Sequence, residues 1–151
     1  MGLDMYLRAK KYISTYREEN KDVIDKLNTM FNIVSDEDYT VNEVSFRVAY
    51  WRKANHIHQW FVENCQDCID DCKEYYVGRD QLEQLRDLCE QVLANKDKAD
   101  ELFPTQSGFF FGDTDYDEWY FIDLEKTVSR IDKILNDPAL TDADFYYQSS
   151  W

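Results

Sequence analysis

Alternating apolar and polar residues predict two β-strands in the first third of the chain. Residues 3–7 alternate leucine, methionine and leucine with more polar neighbours, and this period of two places one face of a strand in a core. Residues 44–48 repeat the pattern with valine, phenylalanine and valine. Three other segments favour short strands or a hairpin arm: residues 73–78, 107–113 and 144–151.

Apolar residues spaced three and four apart predict about four helices. The first is expected over residues 15–33, where Thr15 and Glu18 form a capping box. The second begins near Tyr50, the third covers residues 79–95, and Thr114 caps the fourth. The predicted buried stripes are Val23, Leu27, Met30 and Phe31; Ala54, Ile57, Phe61 and Cys65; Leu82, Leu85, Cys89 and Val92; and Tyr120, Leu124, Val128, Ile131 and Leu135.

Short strands mixed with helices indicate the α+β class. We expect one compact domain over residues 1–151, with about four helices and a small sheet of short strands. A chain of 151 residues is long enough to bury a core without disulfides. Only 4 glycines and 2 prolines are present, which argues against a many-stranded sandwich because such folds need many turn residues.

The formal net charge of −14 restricts the partners that the chain can bind. Nucleic acids and anionic membranes attract basic surfaces, so neither is an expected partner. No apolar run reaches membrane-spanning length, and the first residues lack the features of a signal peptide, so a cytoplasmic protein is expected. The acidic surplus is either a solubilising shell or a surface that imitates nucleic acid toward a basic protein.

The segment YWRKANHIHQWF, residues 50–61, concentrates candidate binding chemistry. It contains both histidines, two tryptophans and an Arg–Lys pair. In a helix its polar groups would lie away from the buried stripe, facing outward or into a cleft. Guanidinium groups bind phosphate in bidentate fashion, and aromatic rings stack on bases for about 1–3 kcal/mol each. The predicted ligand-binding residues are Tyr50, Trp51, Arg52, Lys53, Asn55, His56, His58, Trp60, Phe110, Trp119 and Trp151.

No catalytic, metal or cofactor motif accompanies this segment. Cys65, Cys68 and Cys72 have a spacing that zinc sites use, but they also continue a helical stripe, and buried cysteine is a common core residue. We therefore predict no metal and no cofactor. If the protein is an enzyme, His56 or His58 would act with a carboxylate such as Asp117.

Several segments together resemble a family of small tailed-phage and prophage proteins. They are MGLDMYL, YWRKANHIHQWF, DDCKEYYV, LFPTQSGFFFGDTDYDEWY and YYQSSW, and the likeness covers nearly the whole chain. Some members carry a phosphoglycerate kinase label, which a chain of this length without a glycine-rich phosphate loop does not fit. The resemblance implies a phage accessory protein in the bacterial host cytoplasm that acts against host defence.

Three functions follow as alternatives. The first is noncatalytic sequestration of a nucleotide-like immune signal or metabolite, and a homo-oligomer with its pocket between subunits is compatible with it. The second is an acidic inhibitor of a host protein that uses Asp67, Asp70, Asp71, Asp113, Asp115, Asp117 and Glu118. The third is a small hydrolase or transferase that uses His56 or His58.

Overall fold

Four antiparallel strands form one sheet, with helices packed against one of its faces. The computed structural model describes residues 2–151. The strands are β1 (Asp4–Tyr12), β2 (Glu43–Arg52), β3 (Tyr75–Val77) and β4 (Asp144–Ser150), in the spatial order β2-β1-β4-β3. The helices are α1 (Lys21–Met30), α2 (Asn55–Cys65), α3 (Arg79–Ala94), α4 (Ala99–Leu102) and α5 (Glu118–Asn136). The protein is a single α+β domain, as predicted.

The strands predicted near the two ends of the chain lie side by side at the centre of the sheet. β1 pairs with β2 on one side and β4 on the other, so Tyr6 lies opposite both Tyr50 and Gln148. The short β3 pairs with β4 at the far edge. β2 is consequently the opposite edge strand.

A β-bulge in β2 changes which of its residues face the core. Leu7 pairs with Ala49 and Arg8 pairs with Arg47, so Val48 is an extra residue between them. Beyond this bulge the buried positions are Ala49 and Trp51.

The strand predicted from residues 44–48 is confirmed as β2. Before the bulge, Phe46 lies opposite the buried Ala9 and shares its face of the sheet, although it is 45% exposed, and Val48 is partly buried. The bulge then shifts the alternation by one residue, so that Ala49 and Trp51 face the core.

The core lies between the sheet and three of the helices. In α3 the buried residues are the predicted Leu82, Leu85, Cys89 and Val92. In α5 the buried residues are Tyr120, Leu124, Thr127, Ile131 and Ile134, so three of the five predicted positions are fully buried and the other two are partly buried. The N-cap of α5 is Asp117, whose carboxylate accepts from the Tyr120 amide, and not the predicted Thr114. Among residues 2–151, none of the helices has the length and apolar character needed to span a bilayer.

The first predicted helix is shorter than expected, and its buried side packs against the loop that follows it. A 3-10 turn at Glu18–Asn20 precedes α1, and the buried residues of α1 are Ile24 and Asn28. The Asn28 amide donates to Thr40 and its oxygen accepts from the Val41 amide. The predicted stripe is exposed at residues 23, 30 and 31, because this excursion between β1 and β2 lies outside the main core.

Residues 107–113 form a turn and irregular chain, so the strand predicted there is wrong. Phe109 is 95% exposed, and Gly112 has a φ of +89°, a conformation that disfavours other residues. A Cβ at Gly112 would lie 3.0 Å from the Lys53 Cβ. This close approach fixes the segment against the end of β2.

Candidate functional site

The segment at residues 50–61 divides between the sheet edge and the core. Tyr50, Trp51 and Arg52 belong to β2, and α2 begins only at Asn55. The helix predicted from Tyr50 is wrong at its start, because the strand pairing continues until the Lys53 amide donates to the Leu3 carbonyl. The candidate residues are therefore separated into two environments.

His56 lies inside the protein, although the sequence predicted that it would face outward or into a cleft. It is 3% exposed and packs between Phe103 and Tyr120, with ring centroids 5.3 and 4.3 Å away. Its Nε2 atom has no hydrogen-bond partner among the described residues. Burial lowers the pKa of His56 to about 3, because a charged imidazolium is poorly solvated there.

His58 is also buried, within a polar network that ties three parts of the chain together. Its Nδ1 atom lies 2.7 Å from the Tyr147 hydroxyl, and its Nε2 atom lies 3.0 Å from a carboxylate oxygen of Asp70. The other Asp70 oxygen accepts from the Trp151 indole. Burial also raises the pKa of Tyr147 well above its usual value. Since His58 and Tyr147 are both fully buried, this network holds α2, β4 and the loop after α2 in place.

Asn55 also has a structural role at the start of α2. Its Nδ2 group donates to the carbonyls of Phe111 and Asp113, and its Oδ1 atom accepts from the Gln106 amide. This single side chain therefore holds the irregular segment against the domain. Trp60, 8% exposed, belongs to the core.

The remaining predicted residues are dispersed. Phe110 is half-buried, and its carbonyl accepts from the Leu3 amide. Trp119 is 71% exposed on the first turn of α5, and Trp151 is 43% exposed beside Asp70. The carboxylate of Asp117 caps α5, while Asp70 is the carboxylate that contacts a histidine.

The predicted continuation of the α2 stripe through the cysteines is wrong. The helix ends at Cys65, and Cys68 and Cys72 lie in the following loop with φ values of 61° and 59°. Cys68 is exposed, and all four cysteines are free thiols. Residues 2–151 contain no group of three or more histidine, cysteine or acidic side chains placed to hold a metal ion.

An open groove runs between β2 and α5, and three of the predicted ligand-binding residues line it. Its volume is about 880 Å³, which is within the range of small-ligand sites. Tyr50, Trp51 and Arg52 line it from the strand side. The Trp51 ring is mostly buried, and its indole N–H donates to Thr127 at 2.8 Å. Tyr50 is 46% exposed and offers an accessible ring.

Four cationic side chains converge on this groove. Arg47 and Arg52 come from β2, and Lys126 and Arg130 come from α5. Within the described part of the chain, none of the four forms an ion pair. These four cations outnumber the two acidic residues of the groove, so its lining is locally basic in a protein of net charge −14.

Two acidic residues, Asp123 and Glu125, also line the groove. Burial raises the pKa of Asp123 to about 6, while Lys126 opposes the shift and Asp117 adds to it. The Asp123 carboxyl therefore takes up a proton just below neutral pH, and the groove then becomes more positive.

The sequence missed Arg47, Lys126 and Arg130 as candidates. Lys126 and Arg130 are four residues apart and so share a helix face, a signal that was visible in the sequence. Which strand lies beside this helix face depends on tertiary packing, and the local residue pattern carries no information about tertiary packing.

Comparison of the chain with protein-family models, with curated proteins and with solved structures found no match.

Proposed function

We propose that the protein binds a nucleotide-like anion in the groove between β2 and α5 and sequesters it without catalysis. The observation that carries this proposal is the convergence of four unpaired cations on one groove of an acidic protein. The resemblance to phage accessory proteins supplies the context: the ligand would be a host immune signal or metabolite.

The groove offers distinct roles to its residues. The guanidinium groups of Arg52 and Arg130 are placed on opposite walls and are suited to bidentate contacts with phosphate oxygens. The exposed ring of Tyr50 provides a stacking surface for a base. Trp51 is fixed by its bond to Thr127 and supports the strand from beneath.

Loss of Arg52 or Arg130 is expected to weaken nucleotide binding about tenfold or more, because a hydrogen bond to a charged group contributes about 1.5–3 kcal/mol. The measurement is calorimetric titration of a panel of mononucleotides into the wild type, Arg52→Ala and Arg130→Ala. Lys133→Ala is the control, since Lys133 is an exposed cation on the same helix outside the groove lining. Wild-type affinity in both arginine variants would refute the site.

Mass spectrometry of the recovered ligand tests the absence of catalysis. Sequestration predicts that the bound nucleotide is released unchanged after denaturation of the protein. A modified product that accumulates with time would instead favour the hydrolase or transferase alternative.

Affinity for the anion is expected to rise as the pH falls from 7 to 5. Protonation of Asp123, whose pKa is raised to about 6, removes a negative charge from the groove. The probe is a cyclic mononucleotide, because its phosphodiester keeps one charge over this range, whereas a terminal phosphate titrates near pH 6. Asp123→Asn should bind the cyclic mononucleotide more tightly than the wild type at pH 7, and its affinity should depend less on pH. The same dependence of affinity on pH in the wild type and Asp123→Asn would rule out a role of Asp123 protonation in binding.

The acidic-inhibitor alternative has support in the exposed segment near the start of α5. Asp115 and Glu118 are exposed there, close in sequence to the exposed rings of Phe109 and Trp119. In contrast, Asp70, which was also predicted to contact the host protein, already contacts His58. A co-purifying basic host protein that dissociates as salt rises, with no nucleotide released, would favour this function over the groove.

A further inference from the structure

The outer face of the sheet carries a tyrosine on every strand. The four are Tyr50 on β2, Tyr6 on β1, Tyr146 on β4 and Tyr76 on β3. Tyr6 is paired with Tyr50, and Tyr146 is paired with Tyr76. Their ring centroids are 5.5 Å apart in the first pair and 5.8 Å in the second. The rings form two pairs, one on β1 and β2 and the other on β3 and β4, and we call the two pairs together the tyrosine track. At the junction of β1 and β4, Tyr6 lies opposite Gln148 and Tyr146 lies opposite Arg8.

The helices leave this track uncovered. They pack on the opposite face of the sheet, where Phe61 of α2 stacks on Tyr147 and Thr127 of α5 binds Trp51. On the tyrosine face, the described side chains bond or stack with neighbouring strands and with residues 72–74. Tyr76 is 56% exposed.

Cations lie against three of these rings. Arg8 is 5.2 Å from the Tyr6 centroid, and Arg47 is 5.7 Å from the Tyr50 centroid. Lys10 lies over Tyr146 and also pairs with Glu74. The side-chain hydrogen-bond partner of Arg8 is the neutral Gln148.

Acidic side chains also lie on this face: Asp4 is opposite Arg52 and Asp144 is opposite Lys10. The Tyr50 hydroxyl donates to Asp4, and the carboxylate of Glu74 is occupied by Lys10. No carboxylate of residues 2–151 pairs with Arg8, Arg47 or Arg52. The face thus combines tyrosine rings, of which Tyr50 and Tyr76 are exposed, with three arginines that form no ion pair among the residues that the structure describes.

The tyrosine track is continuous with the proposed binding groove. Arg47, Tyr50 and Arg52 line the groove and also belong to the strand at one end of the track. From Tyr50 to Tyr76 the track crosses three strand spacings, about 14 Å at the usual separation of strands, and the two pairs are offset by two residues along the strands, about 7 Å. One mononucleotide in the groove would leave the far rings unused.

We propose that the ligand is a short single-stranded oligonucleotide, an inference that rests on the proposed function of the groove. Its phosphates contact the groove arginines and Arg8, and its bases stack on the tyrosines. Four-stranded sheets with exposed aromatics stack about two or three bases. The net charge of −14, from which no nucleic-acid partner was expected, repels a long polyanion. The proposal departs from that expectation only for a ligand limited to the few nucleotides that the cationic surface covers.

The test compares adenosine mononucleotide, dinucleotide and trinucleotide on the wild type and two variants of Tyr76. Tyr76 lies at the end of the track remote from the groove, so Tyr76→Ala should leave mononucleotide affinity unchanged. The trinucleotide should bind the wild type roughly tenfold or more tightly than the mononucleotide. That gain should be lost in Tyr76→Ala and kept in Tyr76→Phe, which retains the ring. Tyr16→Ala, at a 95% exposed position away from the sheet, is the control.

The outcomes separate this inference from the function on which it rests. Equal affinity for the three ligands, with no effect of Tyr76→Ala, would overturn the oligonucleotide while leaving the groove function intact. Failure of every ligand to bind would overturn both. Much tighter binding of a long polyadenylate than of the trinucleotide would overturn the restriction to short ligands.

Discussion

Replacement of Phe61 by alanine is expected to lower the free energy of unfolding by about 3–5 kcal/mol. Phe61 is fully buried, and its ring stacks on Tyr147 with centroids 4.0 Å apart and planes 9° from parallel. It also contacts Trp51 and Trp60 at 5.8 and 5.3 Å. The truncation would leave a cavity where α2 packs on the sheet. The free energy of unfolding of a domain is about 5–15 kcal/mol, so this one substitution would remove a large fraction of the stability.

Urea unfolding followed by tryptophan fluorescence measures this loss. Phe109→Ala is the matched control, because it is the same substitution at a side chain that is 95% exposed. The control should change the free energy of unfolding by no more than about 0.5 kcal/mol. Similar losses in the two variants would show that the core does not lie where the structure places it.

Helices and strands whose apolar residues repeat regularly and all face the main core were predictable from the sequence. The four buried positions of α3 repeat at intervals of three and four, and β1 alternates without interruption. The tail at residues 144–151 also formed the predicted strand, β4. In each of these segments, local pattern and tertiary environment agree.

The segment at residues 50–61 shows where local pattern is insufficient. Its stripe at Ala54, Ile57 and Phe61 is buried as predicted, yet the helix starts five residues later than expected, at Asn55. The preceding residues pair with β1, so that Trp51 lies opposite Met5. That pairing joins residues distant in sequence, and the bulge beside it follows no local signal.

The candidate site was only partly predictable for the same reason. Tyr50, Trp51 and Arg52 do line the groove, but Asn55 and His58 are buried with partners more than fifty residues away, at 106–113 and at 147. A polar residue satisfied in the core and a polar residue at a binding site look alike in sequence. Only the fold separates them.

His56 is expected to make the protein sensitive to mild acid. In the folded protein its pKa is about 3, so the imidazole stays neutral at pH 5, whereas the unfolded chain binds a proton below about pH 6.5. The unfolded state thus binds more protons, and stability falls as the pH decreases. The loss from His56 alone is about 2 kcal/mol between pH 7 and pH 5, and about 3 kcal/mol by pH 4.

Urea unfolding of the wild type and His56→Leu at pH 7, 6 and 5 isolates this contribution. Leucine fills the site between Phe103 and Tyr120 without a titrating group and removes the unpaired Nε2 atom. Other titrating groups, such as Asp123 with its raised pKa, are common to both proteins and cancel in the difference. The stability of the variant relative to the wild type should therefore increase by about 2 kcal/mol from pH 7 to pH 5. Parallel profiles would mean that His56 takes up its proton in the folded state, and so that it is open to solvent and not enclosed by its aromatic neighbours.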